Sequence, residues 1–71
     1  MKYYKALEQV IENGKGMRLP KWSEEVVIRA QFPDENSKMT HPYLYVDSRF
    51  GTVPWIETFP EKFSDEWILV D

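Results

Sequence analysis

Apolar residues fall at Tyr3, Leu7, Val10 and Ile11, and Lys5, Glu8, Gln9 and Glu12 take the other side. This i, i+4, i+7, i+8 spacing predicts an amphipathic helix over residues 2–12. Asn13-Gly14 supplies its stop, since glycine tolerates the left-handed conformation that closes a helix. After that the period shortens to two. Residues 17–19 predict a short strand ended by Pro20, with Arg18 facing opposite to its neighbours. Residues 21–25 form a polar connection that contains Trp22. Val26, Ile28, Ala30 and Phe32 alternate with Val27, Arg29 and Gln31, which predicts a strand over 26–32. The cluster Pro33-Asp-Glu-Asn-Ser37 is a turn. A second alternating strand spans 42–46, with Tyr43 and Tyr45 on one face and Leu44 and Val46 on the other. A glycine-containing loop over 47–51 leads back through a strand at 52–56, making a hairpin. Pro54 cannot donate to a ladder, so that strand lies at an edge or turns the position outward. One short helical turn falls within 60–66, and a last strand follows at 67–70.

These elements sum to an α+β fold over a single domain, residues 1–71: an N-terminal helix packed on a small antiparallel sheet, with a short helical turn before the last strand. A core of this size is marginal. With no cysteine, neither disulfides nor thiolate metal sites can reinforce it. The chain holds 3 Trp, 4 Tyr and 4 Phe, which suits a dense aromatic core, an aromatic interface, or both. Its formal net charge of −3 argues against a DNA or RNA polymer as partner, because such a protein would show a basic face. No segment nears the ~20 apolar residues of a membrane span. These absences point to a cytoplasmic protein.

His41 is the only histidine, and it precedes a proline in a turn region. One histidine without convergent partners offers little to a hydrolytic or metal site. The three glycines are scattered, and none belongs to a phosphate-binding motif. Glu61, Asp65 and Glu66 cluster where acids favour a helix start, with Glu66 beside Trp67 the one placed to face a pocket. Trp55 and Trp67 lie in strand-like runs and read as core. Trp22 has no apolar neighbour in sequence, so its ring is either a core plug or a stacking platform. If two of Arg18, Arg29 and Arg49 converge near it, they form a phosphate fork beside that platform.

The order of these motifs resembles the phage-encoded Thoeris anti-defence family of the second type. The shared pattern runs through Tyr4-Lys-Ala-Leu7, Gly14-Lys15, Arg18, Trp22, Pro42-Tyr-Leu-Tyr45 and Gly51-Thr-Val-Pro-Trp55, and ends in an acidic-Trp pair, here Glu66-Trp67. The chain departs from it at Thr58 and Glu61, where the family has Ser and Asp. It departs again after Trp22, where Ser23-Glu24-Glu25 replaces a glycine-containing loop. The resemblance implies a binding protein without catalysis or cofactor. Such proteins hold a cyclic nucleotide second messenger (a glycocyclic ADP-ribose or a cyclic oligonucleotide) and silence host immune effectors. The resemblance also implies a homo-oligomer, dimer or tetramer, with ligand held between protomers.

On that basis Trp22 and Tyr4 are expected to stack on base or ribose, and Arg18 and Lys21 to meet phosphate. Thr58, Asp65 and Glu66 would accept hydrogen bonds from hydroxyls or an exocyclic amine, and Ser23 completes the set beside Trp22. The competing expectation is a protein-binding module that caps a host enzyme with the same aromatic surface. An enzyme that degrades the signal is the weakest fit to these residues.

Overall fold

A computed structural model describes residues 1–71. The N-terminal helix α1 (Tyr3–Asn13) is followed by β1 (Gly16–Arg18), β2 (Val27–Gln31), β3 (Tyr43–Ser48), β4 (Gly51–Pro54), the short helix α2 (Phe59–Lys62) and β5 (Ile68–Val70). The strands form one antiparallel sheet in the order β4-β3-β2-β1-β5. This is the expected α+β arrangement.

Gly14 closes α1 with φ of 68° and donates its N–H to the Gln9 carbonyl. The buried stripe of α1 is Tyr3, Ala6 and Val10, with Leu7 half-buried and Ile11 exposed. At 100° per residue this centre lies roughly 50° from the one expected from Tyr3, Leu7, Val10 and Ile11. Ala6 causes the rotation: its small side chain lets the helix sit close on the sheet, so the helix turns that side inward.

Met17 on β1, Ile28 on β2, Val46 on β3 and Leu69 on β5 share the sheet face under α1, as register and alternation require. With Leu19, Tyr3, Ala6, Val10 and Trp67 they build the core. Gly16 and Arg18 fall on the opposite face. A Cβ on Gly16 would stand 2.4 Å from Val27 Cγ1 and 3.0 Å from Val70 Cγ2, so only glycine admits these neighbours.

The hairpin is tighter than expected. β3 runs on to Ser48, which pairs with Gly51, and the turn is Arg49-Phe50. Asp47 and Ser48 help to hold it. The Thr52 hydroxyl donates to Asp47 at 3.0 Å, and the Phe50 N–H donates to Ser48 Oγ at 3.2 Å. β4 ends at Pro54 rather than Ile56, though the Trp55 N–H still donates to the Leu44 carbonyl at 3.0 Å. Hydrogen-bonded pairs alternate along an antiparallel ladder. Pro54 therefore presents its missing donor outward, on the free edge of the sheet. The helical turn expected within 60–66 starts earlier, at Phe59, and β5 begins one residue after Trp67.

Candidate functional site

Trp67 organises one end of the molecule. It is buried, and its ring lies 5.6 Å from Tyr3, 5.4 Å from Trp22 and 6.2 Å from Trp55, centroid to centroid. Its indole N–H donates to the Glu61 carbonyl at 2.8 Å, which ties α2 to the core. Its backbone exchanges hydrogen bonds of 2.8 and 3.1 Å with Met1, which fixes the chain entering α1. One residue, through its side chain and its backbone, thus anchors two segments far apart in sequence.

Between those segments lies a cleft of about 370 Å³. Lys2, Tyr3 and Tyr4 form one wall, and Lys62, Phe63, Ser64 and Asp65 form the other. Tyr4 and Phe63 are exposed aromatic rings, Phe63 by 79%. The first turn of α1 has no acidic residue and no side-chain cap, so its free amides add positive potential beside the two lysines. Asp65 is the one carboxylate in the lining. Tyr3 closes the inner end. Its hydroxyl donates to Glu57 Oε2 at 3.3 Å, and its pKa is pushed up from 10.0 to about 12, first by burial and then by the charge of Glu57 and the bond to it.

The structure divides the expected residues into groups. Tyr4 and Asp65 meet in the cleft. Glu66 is exposed next to it and donates its N–H to Ser64 Oγ at 3.1 Å. Thr58 begins α2 in a capping box with Glu61: Glu61 Oε1 accepts from the Thr58 N–H at 2.8 Å and from its hydroxyl at 3.0 Å. Arg18, Lys21, Trp22 and Ser23 lie on or after β1, on the far side of Trp67. Lys21 and Ser23 are exposed, while Arg18 is buried and donates from Nη2 to the Trp22 carbonyl.

Of the two readings of Trp22, its packing supports the core plug: the Trp22 N–H bonds the Leu19 carbonyl at 3.0 Å, and the turn so formed lays the half-buried ring edge-on against Trp67. Of the three arginines, only Arg18 reaches it, at the Trp22 carbonyl. Arg29 donates to the Asp71 carbonyl, and Arg49 stacks 5.0 Å from the Phe50 ring and pairs with Glu25.

Lys2, Lys62, Phe63 and Ser64 were not expected. The available signal was the spacing of Phe59 and Phe63, two apolar residues four apart in an otherwise polar turn. A second depression, of about 260 Å³, is lined by Leu7, Ile11, Ala30, Phe32, Pro42, Tyr43 and Leu44 and lacks any cation. It does not suit a phosphate. No group of three or more His, Cys, Asp or Glu side chains is placed to hold a metal ion, and no helix is long and apolar enough to cross a membrane.

The chain is a small α+β domain with an aromatic cleft flanked by two lysines. More specifically, the chain belongs to the Thoeris anti-defense 2-like domain family, whose sequence model matches residues 1–70. That membership carries a role against Thoeris defence. No curated protein matches the chain.

Proposed function

We propose that this protein sequesters a cyclic nucleotide immune messenger in the host cytoplasm and releases it unchanged. The observation that carries this reading is the cleft between α1 and the segment after α2, where two ammonium groups stand beside two exposed aromatic rings. Tyr4 and Phe63 give a base its stacking surfaces. Lys2 and Lys62 meet phosphate, helped by the amides of α1. Asp65 accepts from ribose hydroxyls or an exocyclic amine. The volume suits a ligand of nucleotide size. Family membership supplies the biological setting.

A homo-oligomer belongs to the same proposal. Phe59 and Phe63 are 78% and 79% exposed on adjacent turns, next to the cleft, and a second copy covering them would also close it. The protein should deplete one member of a cyclic nucleotide panel from solution and return it intact on heating. If every nucleotide on the panel stays in solution, or if ligand returns cleaved, the proposal fails. The second reading, a cap on a host enzyme, draws on the hairpin tip, where Phe50 is 87% exposed and backed by the Arg49 guanidinium. A stoichiometric host protein captured by nucleotide-free material, and lost on Phe50→Ser, would favour it.

A further inference from the structure

The rotation of α1 leaves part of its apolar surface without a neighbour. Tyr4, Leu7 and Ile11 recur at i, i+3 and i+7, so they share one side of the helix. The sheet covers the side that carries Tyr3, Ala6 and Val10 instead. Leu7 is half-buried, while Ile11 and Tyr4 are 46% and 60% exposed. Ala30, Phe32 and Leu44 stand across from Leu7 and Ile11, and the space between them is the groove of about 260 Å³ that no cation lines.

The charges on α1 run against its own dipole. Lys5 lies in the first turn, Glu8 in the middle and Glu12 in the last turn, and all three are exposed. The first turn holds no acid and the last turn no base. A helix favours acids at its N-terminus and bases at its C-terminus, so this order costs the helix stability. Glu8 and Glu12 are also four positions apart, a repulsive spacing. Nothing within the chain offsets this, because the ion pairs are Lys15–Asp71 and Arg49–Glu25 and neither touches α1. A partner helix running the other way does offset it, since its acidic end then lies beside the basic end of α1.

We infer that the groove beside α1 seats a second copy of this chain, whose own α1 packs antiparallel against Tyr4, Leu7 and Ile11 about a two-fold axis. The surface is complementary to itself in that arrangement: apolar along the stripe, basic at one end and acidic at the other. A parallel pairing would set like charges side by side. With the axis between Leu7 and Glu8, Tyr4 meets the partner's Ile11. Lys5 then falls between the partner's Glu8 and the partner's Glu12, about 3 Å along the helix from each at ~1.5 Å per residue. These residues are not those of the Phe59 and Phe63 patch, and the inference does not depend on nucleotide binding. Tyr4 also lines the cleft, so the second copy steadies one of its rings.

Sedimentation equilibrium tests this on a Phe59→Ser, Phe63→Ser background, which removes the other contact between copies. That protein should still form dimers, and they should weaken as sodium chloride is raised. Lys5→Glu makes the exposed flank wholly acidic, and Glu8→Lys with Glu12→Lys makes it wholly basic. Each change should weaken self-association at least ~10-fold, because every cross-helix pair turns repulsive. Mixed in equal amounts, the acidic and basic variants should combine into a heterodimer at least as tight as the parent dimer. Ile11→Ser should weaken the dimer ~10-fold or more through lost apolar burial. Circular dichroism separates folding from association: Lys5→Glu places an acid in the first turn, so its monomer should melt no lower than the parent's. The inference is overturned if the background protein stays a monomer, or if the like-charged variants dimerise as the parent does. It is equally overturned if the two variants fail to combine, or if a host protein takes this face while the protein alone stays single. A dimer that needs Ile11 and these charges, in a protein that binds no cyclic nucleotide, would sink the sequestration reading and leave this one standing.

Discussion

Replacing Trp67 by Phe removes the indole N–H while keeping an aromatic ring in the core. The Glu61 carbonyl then loses its donor, and a bond of this kind contributes about 1 kcal/mol. The smaller ring also withdraws apolar volume from a fully packed site. Losing two to three carbons' worth of burial costs about 2 kcal/mol at ~0.8 kcal/mol per methylene. The contacts with Tyr3, Trp22 and Trp55 weaken but persist. The total, about 3 kcal/mol, is a large fraction of what a domain of this size has available. It corresponds to a Tm lower by roughly 15 °C. Urea unfolding followed by circular dichroism should show a lower midpoint with an unchanged slope. The loss should also be uneven. Amides of residues 59–63 should exchange faster, because their tether is gone, while those of the β2–β3 ladder follow global stability. A destabilisation under ~0.5 kcal/mol, or exchange that quickens equally everywhere, would refute the view that Trp67 ties the two walls of the cleft together.

Gly16→Ala should destabilise by ~1–3 kcal/mol in a denaturant titration, since its Cβ would stand 2.4 Å from Val27 Cγ1. Tyr3 is neutral at ordinary pH and its folded pKa lies above the ordinary value, so its contribution is complete below pH 10.0 and lost as pH rises toward about 12. Tyr3→Phe should flatten that part of the stability–pH curve. Thr58→Val should cost ~1 kcal/mol through loss of the cap on α2, whereas Thr58→Ser should be nearly silent in stability. Pro54→Thr restores an outward N–H on the β4 edge, and light scattering should then show stronger concentration-dependent association.

The elements were legible wherever a period ran long enough to be seen. The helix and the β2 and β3 strands carry clean repeats, and Pro54 marked the sheet edge from a single missing donor. The rotation of α1 was not legible, because Ala6 counts as a core residue only once the distance between helix and sheet is known. The hairpin turn was misplaced for a similar reason. Arg49-Phe50 has none of the usual turn chemistry, and the bonds from Asp47 and Ser48 that hold it appear only when the strands pair. Trp22 stayed ambiguous because its neighbours in sequence are polar, while its neighbours in space are Leu19 and Trp67.

The cleft was half legible, for a reason that follows from how it is built. Its walls lie some sixty positions apart in sequence and are both tied to Trp67. Tyr4 and Asp65 could be picked out by residue type, but nothing local joins Lys2 to Lys62. The departure at Thr58 and Glu61 looks different once the capping box is seen. Thr and Glu preserve what Ser and Asp would do at a helix start, since either pair lets a hydroxyl residue and an acid three positions later satisfy the leading amides. The altered pair therefore keeps α2 where it is, and α2 delivers Lys62 and Phe63 to the cleft. The replaced loop after Trp22 has no such equivalence. Ser23 and Glu24 are exposed beside the carbonyl that Arg18 holds, so that loop can change without disturbing the fold.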